Sequence, residues 1–396
     1  MPDILSPEFA ANPYPIYKDF RDNYPLHQHP NLGYVISRYE DVEKALKQDG
    51  FSTENYGPQL EPIHGERVIL QMDGREHVQK RNIVGPSFRG RDLLNRYMGL
   101  VEKNADELID AFASGGEIDF VDAFAARLPI MVTVDMLGLP RNDIPHFQRW
   151  YRAFIDWFAN FTQDPEVTAR GEEAKAELEA YMMPHITARR ENPTDDLLSL
   201  LANAEIDGHH LTLMQVKAYA SLLLLAGGET TEKAITTLFV NLLENPASFA
   251  EVCANHDLIE AAAAESLRYS SPVQLNMRLA TENASVSGGD IPAGSMVVLL
   301  IAAANRDERH FENPEKFDIH RKELDVKTAF SGAANHLAFG RGRHYCVGAP
   351  LARAELLTGT KRLLERFKDI KLLEEPQAVG IFTRAPVKVR LELTPA

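Results

Sequence analysis

The sequence FGRGRHYCVG, residues 339–348, surrounds Cys346 with small and basic residues. The glycines are Gly340, Gly342 and Gly348, and the basic residues are Arg341, Arg343 and His344. Glycines let the backbone turn tightly and direct N–H groups towards the sulfur, and these donors and the nearby positive charge both favour the thiolate. A thiolate serves as a nucleophile or as a metal ligand. The loop therefore predicts that Cys346 takes part in chemistry.

Three uses of this sulfur compete. Nucleophilic catalysis needs a histidine base and an orienting acid, which the sequence alone leaves open. A zinc site needs further Cys or His at ligand spacing, but the chain has no C-x-x-C, and His209 and His210 lie in a predicted turn. A metal held inside a macrocycle needs few protein ligands, so haem fits best. The other cysteine, Cys253 in FAEVCANH, is predicted to be a small core side chain on a helix.

A second unusual stretch lies in the longest predicted helix, which starts after Thr212 as N-cap and ends before Pro246. Its LLLLA run, residues 222–226, is apolar on every face and should be buried. Gly227 and Gly228 follow, each costing about 1 kcal/mol relative to Ala in a helix. Either the glycines allow close helix packing, or a local bulge makes room for a small ligand.

These motifs together resemble the cytochrome P450 superfamily of haem-thiolate monooxygenases, over nearly the whole chain. FGRGRHYCVG matches the cysteine loop of the family, and AGGETT, residues 226–231, resembles its oxygen-binding stretch. ESLR, residues 265–268, matches the Glu-x-x-Arg pair, with Arg321 as its third member. ANRD, residues 304–307, is similar to bacterial members.

The resemblance implies haem b (iron protoporphyrin IX) as cofactor, with Cys346 as the axial ligand of the iron. It also implies contacts of Phe339 and Gly227 with the cofactor. The residues that match those holding the haem propionates are His77, Arg81, Arg278 and His344. Buried propionates need charge-assisted partners, and these basic side chains would supply them.

The implied activity is the insertion of one oxygen atom from O2 into an apolar small organic substrate, with reduction of the other atom to water. The resemblance gives Thr230 and Glu229 the catalytic roles, with Glu229 relaying protons from solvent. This intact pair disfavours a haem-thiolate isomerase or peroxygenase. It also disfavours a non-catalytic haem sensor, which has no need of a proton relay. A helical protein without any cofactor is the remaining alternative.

Electrons must come from a separate partner, because no dinucleotide fingerprint such as G-x-G-x-x-G follows a predicted strand. The expected partner is a ferredoxin or flavodoxin with its reductase. A basic cluster around the cysteine loop is predicted to dock this acidic partner. Its members are Arg341, Arg343, Arg353, Lys361 and Arg362.

The substrate walls are predicted from an aromatic stripe and three shorter segments. The stripe consists of Phe147, Trp150, Tyr151, Phe154, Trp157, Phe158 and Phe161. Such a stripe at helical spacing is either core packing or, by resemblance, part of a lid over the substrate. Residues 51–70, together with Val273, Ile381 and Phe382, would add further walls, and Gln274 and Asn276 a polar handle.

The predicted fold class is mainly α with small β-sheets, a cytochrome P450-like fold with a long central distal helix, in a single domain over residues 1–396. Helices are predicted over Arg91–Phe112, Arg141–Phe161 and Pro165–Arg190. Strands are predicted over residues 34–39, 284–300 and 387–393.

Composition limits the class of protein. The 396 residues are 44% hydrophobic and 25% charged, which indicates a globular chain, and the net charge of −15 argues against nucleic-acid binding. Two cysteines suggest a reducing compartment. The N-terminus lacks a signal-peptide pattern, and no apolar run reaches about 18 residues, so a cytoplasmic protein without a membrane anchor is expected.

Overall fold

The computed structural model describes residues 2–90, 93–158, 160 and 163–396, which are mainly helical with small sheets, as predicted. The helices are α1 (Pro7–Ala11), α2 (Tyr14–Asn23), α3 (Tyr39–Lys47), α4 (Gly57–His64), α5 (Gly74–Val84), α6 (Met98–Asp110), α7 (Leu128–Met136), α8 (Ile144–Phe158), α9 (Pro165–Glu191), α10 (Leu197–Ala202), α11 (Leu213–Leu243), α12 (Pro246–Ala254), α13 (Ile259–Tyr269), α14 (Ile301–Ala304) and α15 (Ala349–Arg366). The strands are β1 (Leu26–His29), β2 (Gly33–Ile36), β3 (Phe51–Ser52), β4 (Gly116–Asp119), β5 (Glu205–Ile206), β6 (His209–His210), β7 (Asn276–Ala280), β8 (Ala284–Val286), β9 (Gly289–Ile291), β10 (Met296–Leu299), β11 (Phe367–Leu372), β12 (Ala378–Val379), β13 (Ala385–Pro386) and β14 (Arg390–Pro395).

The long helix α11 begins at the residue that the sequence indicates. Thr212 Oγ1 accepts a hydrogen bond from the N–H of Gln215 at 3.1 Å, and Gln215 Oε1 accepts one from the N–H of Thr212 at 3.0 Å. This reciprocal arrangement is a capping box, which satisfies two backbone donors at the helix start. Pro246 begins α12, so the predicted end of the long helix is also correct to within two residues.

The chain divides into two compact units. The first comprises Met1–Ser52, Ala105–Arg127 and Thr230–Ala396, and the second comprises Thr53–Asn104 and Leu128–Glu229. The boundary between units therefore falls inside the sequence of α11. A single domain over the whole chain stays a prediction.

The first unit contains a five-stranded sheet with the strand order β1-β2-β10-β7-β3. Val297 of β10 pairs with Tyr34 of β2 in a parallel register and with Arg278 of β7 in an antiparallel register. A hydrophobic core packs against this sheet. Its buried members include Ile36, Val42, Leu46, Leu299, Phe311 and Leu337.

The second unit is built around the helix pair α8 and α9. Trp150 Nε1 donates to Glu177 Oε2 at 2.6 Å, and the ring of Phe147 meets Tyr181 edge-on at a centroid distance of 5.4 Å. Gly171 is needed where the helices cross, since a Cβ there would lie 1.9 Å from the ring of Trp157. Side chains of α8 thus pack into α9.

The predicted aromatic stripe therefore contributes to helix packing. The members of the stripe that are fully buried are Phe147, Trp150, Tyr151 and Phe154. Phe158 stacks on Tyr56, just before α4, with ring centroids 6.0 Å apart. Phe161 lies outside the described residues. A substrate-lining role for the stripe stays a prediction.

Several boundaries differ from the prediction for identifiable reasons. The strand predicted over residues 34–39 stops at Ile36, and α3 begins at Tyr39, because Asp307 Oδ2 accepts the Tyr39 N–H at 2.9 Å. This cap comes from a distant part of the sequence. The helix predicted from residue 91 contains a π-helical stretch, Leu93–Tyr97, before α6, and residues 91–92 lie outside the described chain. The strand predicted from residue 387 starts at Arg390.

Candidate active site

The backbone around Cys346 folds back onto itself. The N–H of Cys346 donates to the carbonyl oxygen of Phe339 at 2.9 Å. Gly340 and Gly342 adopt positive φ angles of 70° and 65°, which residues with a Cβ rarely adopt. A Cβ at Gly342 would also lie 3.0 Å from the carbonyl oxygen of Leu46 in α3. Glycine is therefore required at both positions, as the sequence indicates, and the cysteine remains partly exposed.

A buried ion-pair network supports the first unit. Arg268 and Glu265 of α13 form two hydrogen bonds of 2.7 and 2.8 Å, and Arg321 Nε lies 3.1 Å from both carboxylate oxygens of Glu265. Arg268 and Glu265 are 0% and 1% exposed. Buried charges are tolerated only with such complete pairing. The predicted Glu-x-x-Arg pair and its third member are brought together.

Asn305 links this network to the cysteine loop. Arg268 Nη1 donates to the carbonyl oxygen of Asn305 at 3.0 Å, and Asn305 Oδ1 accepts the N–H of Leu337 at 2.7 Å. The carbonyl oxygen of Leu337 then accepts the N–H of Gly340 at 2.9 Å. Sequence reasoning used ANRD only as part of a resemblance and missed this role. The available signal was a polar Asn directly after the apolar run IAAA, and the structure shows this Asn to be fully buried.

Arg341 is a structural residue of the loop. It is 4% exposed, and its Nη1 donates to the carbonyl oxygen of Gly332 at 2.8 Å, while Nη2 donates to the carbonyl oxygen of Ala334. Its Nε contacts Glu43 Oε1 at 3.2 Å. A buried guanidinium cannot dock a partner, so the prediction that placed Arg341 in a docking surface is wrong.

The other predicted docking cations are exposed or partly exposed but carry carboxylate partners of this chain. Arg343 pairs with Asp49. Arg353 pairs with Glu260 through bonds of 2.6 and 2.8 Å. Lys361 Nζ lies 3.8 Å from Glu365, and Arg362 Nε lies 3.5 Å from Asp106. These ion pairs reduce the net positive charge that the isolated residues suggest.

The remaining predicted site residues of the first unit lie on different elements. Arg278 is 5% exposed on β7, and its Nη1 donates to the carbonyl oxygen of Met277 at 2.8 Å. His344 ends the single helical turn Gly342–His344 just before Cys346. Thr230 lies on α11 and is partly exposed.

Four predicted site residues lie in the second unit. His77 and Arg81 are one helical turn apart on α5, so they share a face of that helix. His77 is 2% exposed. Gly227 and Glu229 lie on α11 and are both partly exposed.

Helix packing explains the first glycine of the pair in α11. A Cβ at Gly227 would lie 2.9 Å from Thr133 Oγ1 of α7, whereas one at Gly228 would meet nothing within 4 Å. The helix continues without a break from residue 213 to residue 243, so the bulge interpretation is wrong. The apolar run before the pair is not buried throughout, because Ala226 is exposed.

Two other sequence predictions fail in the structure. Gln274 is not a free polar handle, because its Oε1 accepts the hydroxyl of Tyr17 at 2.8 Å and its Nε2 donates to the carbonyl oxygen of Ser271. It instead holds the start of the chain against the segment before β7. Cys253 is exposed on α12 and does not belong to the core.

Two buried titratable residues, His336 and Glu355, lie on either side of Cys346 in the sequence. They were not identified from the sequence. Burial raises the pKa of Glu355, on α15, to about 8, and its Oε1 has no hydrogen-bond partner among the described residues. Burial, with the charge of Arg341, lowers the pKa of His336 to about 3. Both side chains are therefore predominantly uncharged at neutral pH.

Comparison with known proteins identifies the family to which the chain belongs. The family model described as Cytochrome P450 matches residues 13–379. The chain belongs to the cytochrome P450 family. As a P450 it is an oxygen-incorporating oxidoreductase of the haem-dependent kind, and the predicted P450 fold is confirmed.

Relatives of this P450 match at least 91% of its length. It is 37% identical to pulcherriminic acid synthase of Bacillus subtilis over 98% of this chain and 96% of the relative. It is 34% identical to cyclomarin C epoxidase CymV of Salinispora arenicola over 91% of this chain and 90% of the relative. Among solved structures, the bacillaene polyketide synthase P450 PksS of Bacillus subtilis superposes with a TM-score of 0.89 at 30% identity over 100% of both chains.

The residues of this P450 fit the haem that its family implies. The donor set contains one partly exposed thiol in a turn of glycines, and a Cβ at Gly348 would lie 3.8 Å from its sulfur. Arg278 adds a buried guanidinium, a group that forms charge-assisted hydrogen bonds with carboxylates such as propionates. In the part of the chain that the structure describes, no group of three or more His, Cys, Asp or Glu is arranged to hold a metal ion.

Among the described helices, none combines the length and the apolar character needed to cross a bilayer.

Proposed function

We propose that this P450 is a haem b-dependent monooxygenase, acting as a single domain over residues 1–396. It inserts one oxygen atom of O2 into an apolar small organic substrate and takes its electrons from a separate ferredoxin or flavodoxin with its reductase. The loop geometry at Cys346 carries the proposal, because the turn leaves this residue partly exposed while its N–H donates to the carbonyl oxygen of Phe339. Relatives named as a synthase and an epoxidase support oxidation of a small organic molecule.

Cys346 is proposed to hold the haem iron through its thiolate. Haem held in this way would supply the electron-rich, redox-active iron that oxygen chemistry needs. The network of Glu265, Arg268 and Asn305 holds the loop in place, since Asn305 fixes the backbone nine residues before the sulfur. Phe339 and Gly227 are the proposed apolar contacts of the cofactor.

Four basic residues are proposed to hold the two propionates. They are His77, Arg81, Arg278 and His344. Arg278 is 5% exposed, and a guanidinium forms strong charge-assisted hydrogen bonds with carboxylates such as propionates.

Glu229 and Thr230 are the proposed proton carriers. They are consecutive on α11 and partly exposed, so both side chains can exchange protons with water. The carboxylate oxygens of Glu229 take protons from solvent, and Thr230 Oγ1 passes them towards dioxygen.

The proposed docking surface for the redox partner consists of Arg343, Arg353, Lys361 and Arg362. Each would exchange an ion pair within this chain for one with an acidic partner. Such exchange costs little at an exposed site, because exposed ion pairs contribute only about 0–1 kcal/mol.

Oxygen-isotope labelling with a turned-over substrate tests the proposal. One labelled atom from ¹⁸O2 should appear in the product, and none from labelled water. Thr230→Ala should still consume O2 and reductant but form less product per electron, whereas Thr230→Ser should retain coupling. An unlabelled product, or unchanged product yield in Thr230→Ala, would refute the assigned reaction or the assigned role.

A further inference from the structure

One face of helix α3 lies against the cysteine loop. Tyr39, Glu43 and Leu46 occupy this face, because residues three and four positions apart in a helix are neighbours. Arg341 of the loop donates to the hydroxyl of Tyr39 at 3.3 Å and to Glu43 Oε1 at 3.2 Å. A Cβ at Gly342 would lie 3.0 Å from the carbonyl oxygen of Leu46. The loop is therefore supported by α3 from the first turn of the helix to the last.

Arg341 anchors the turn that ends at Cys346. The N–H of Cys346 donates to the carbonyl oxygen of Phe339 at 2.9 Å, and Arg341 lies within the turn that this bond closes. Its buried guanidinium also donates to the carbonyl oxygens of Gly332 and Ala334. A guanidinium carries its donors in a rigid planar fork, so the places of its acceptors determine where the turn lies.

The hydroxyl of Tyr39 completes a closed ring of hydrogen bonds. It accepts from Arg341 Nη2 and donates to the carbonyl oxygen of Asn335 at 2.7 Å. The residue before Asn335 is Ala334, whose carbonyl oxygen accepts from the same Nη2. Burial raises the pKa of Tyr39, so its hydroxyl keeps the proton that it donates at neutral pH. A phenylalanine would fill nearly the same volume but could not close this ring.

Tyr39 is also fixed by groups outside the cysteine loop. Its backbone N–H donates to Asp307 Oδ2 at 2.9 Å, and the residue is 3% exposed. The ring of His310 stacks on it at a centroid distance of 3.4 Å and an interplanar angle of 8°, while Phe311 meets it edge-on at 5.8 Å. The hydroxyl therefore has a defined position and holds Arg341 rather than following it.

We propose that Tyr39 is a positioning residue for Cys346. Its hydroxyl holds Arg341 and thereby fixes the turn that carries the sulfur. This inference deepens the proposed function and rests on it, because it requires that Cys346 holds the haem iron. Without the hydroxyl, the carbonyl oxygen of Asn335 loses its donor and Arg341 loses one of its acceptors, so the turn opens more easily. The thiolate then leaves the iron more often.

The stability of the thiolate-type band in the reduced carbon monoxide complex tests this role. The rate at which this band converts to that of the inactive form is measured on the purified holoenzyme, in urea below the unfolding transition. Tyr39→Phe should convert about 10-fold faster than wild type, equivalent to about 1.4 kcal/mol.

The matched control is Tyr17→Phe. Tyr17 is also buried, and its hydroxyl donates to Gln274 Oε1 at 2.8 Å within the same unit. This variant should lose a similar share of the free energy of unfolding but convert at the wild-type rate. A wild-type rate in Tyr39→Phe, or equal acceleration in both variants, overturns the inference.

A double variant shows whether Tyr39 acts through Arg341. Arg341→Lys keeps the positive charge but not the planar fork, and it should also convert faster than wild type. Adding Tyr39→Phe to it should change the rate by less than about 2-fold, because the effects of residues in one network are not additive. If the two single effects multiply instead, the proposed route through Arg341 is wrong.

A second variant of α3 replaces Tyr39→Phe if that variant yields no holoprotein. Glu43→Gln weakens the other contact between α3 and Arg341, so it should accelerate the conversion several-fold. A wild-type rate in Glu43→Gln would then overturn the inference.

The spectrum of the wild-type protein separates the two hypotheses. A thiolate-type band in wild type, with an unchanged conversion rate in Tyr39→Phe, refutes only the positioning role. Absence of the band from wild type refutes the proposed function itself.

Discussion

Asn305 Oδ1 accepts the backbone N–H of Leu337 at 2.7 Å in a fully buried position, and this contact joins the ion-pair network to the cysteine loop. Asn305→Ala leaves that N–H without its partner and should lower the free energy of unfolding by about 1–3 kcal/mol. It should also shift part of the reduced carbon monoxide complex from the thiolate-type band to the inactive form. Denaturant unfolding and the optical spectrum measure the two effects.

The matched control for this variant is Asn241→Ala. Asn241 is also buried, and its Nδ2 donates to Ser266 Oγ at 2.9 Å, away from the cysteine loop. It should lose a similar amount of stability while keeping the thiolate-type band. An equal spectral change in both variants would contradict a specific link between Asn305 and Cys346.

Arg268 and Arg353 should differ strongly in their contributions to stability. Both form two hydrogen bonds with a glutamate of α13, but Arg268 is fully buried, whereas the side chain of Arg353 is 44% exposed. Arg268→Ala should cost about 3–5 kcal/mol, because it leaves Glu265 buried with incomplete pairing. Arg353→Ala should cost about 0–1 kcal/mol. Similar losses in urea unfolding would contradict the assignment of Arg268 to a buried network.

Glu355 should make folding weaken as the pH rises. Its pKa in the folded protein is about 8, above the ordinary value of 4.5, so the folded state retains a proton that the unfolded state releases between these values. Its contribution to stability is therefore complete below about pH 4.5 and lost progressively up to about pH 8. Glu355→Gln should gain stability relative to wild type by about 1.4 kcal/mol per pH unit across that range.

The control for the pH experiment is Glu365→Gln, because the side chain of Glu365 is 40% exposed on the same helix. Its stability difference from wild type should stay nearly constant with pH. If the stability difference between Glu355→Gln and wild type did not change with pH, the carboxyl group of Glu355 would ionise normally in the folded wild-type protein.

The cysteine loop and the long helix could be predicted because their signals are local. Glycines at positions of positive φ and the capping pair of Thr212 and Gln215 act within a few residues of the sequence. The family motifs then indicate the remaining site residues. These features required no knowledge of the tertiary structure.

The predictions that failed did so because of tertiary contacts. The sequence suggested that Arg341 is a surface cation. In the structure it is buried, and it binds carbonyl oxygens of the preceding loop and the carboxylate of Glu43. Gln274 looked free until the hydroxyl of Tyr17, 257 residues away in sequence, was found to bind it. The start of α3 depends on Asp307 in the same manner. Contacts between distant residues carry no local signal in a single sequence.

Charge reversal tests the docking surface. Arg353→Glu should slow reduction by a ferredoxin several-fold at low ionic strength, and the difference from wild type should shrink as salt is added. Lys371→Glu, an exposed cation on β11 outside the proposed surface, should leave the rate nearly unchanged. Equal rates for wild type and Arg353→Glu at low salt would exclude Arg353 from the docking site.

The central claim is the bond between Cys346 and the haem iron, and the reduced carbon monoxide spectrum of two cysteine variants tests it most directly. Wild type and Cys253→Ser, which alters an exposed thiol, should both give the red-shifted band of a thiolate-ligated haem. Cys346→Ser should lose this band even when haem is bound. Retention of the band in Cys346→Ser, or its absence from wild type, would contradict the account.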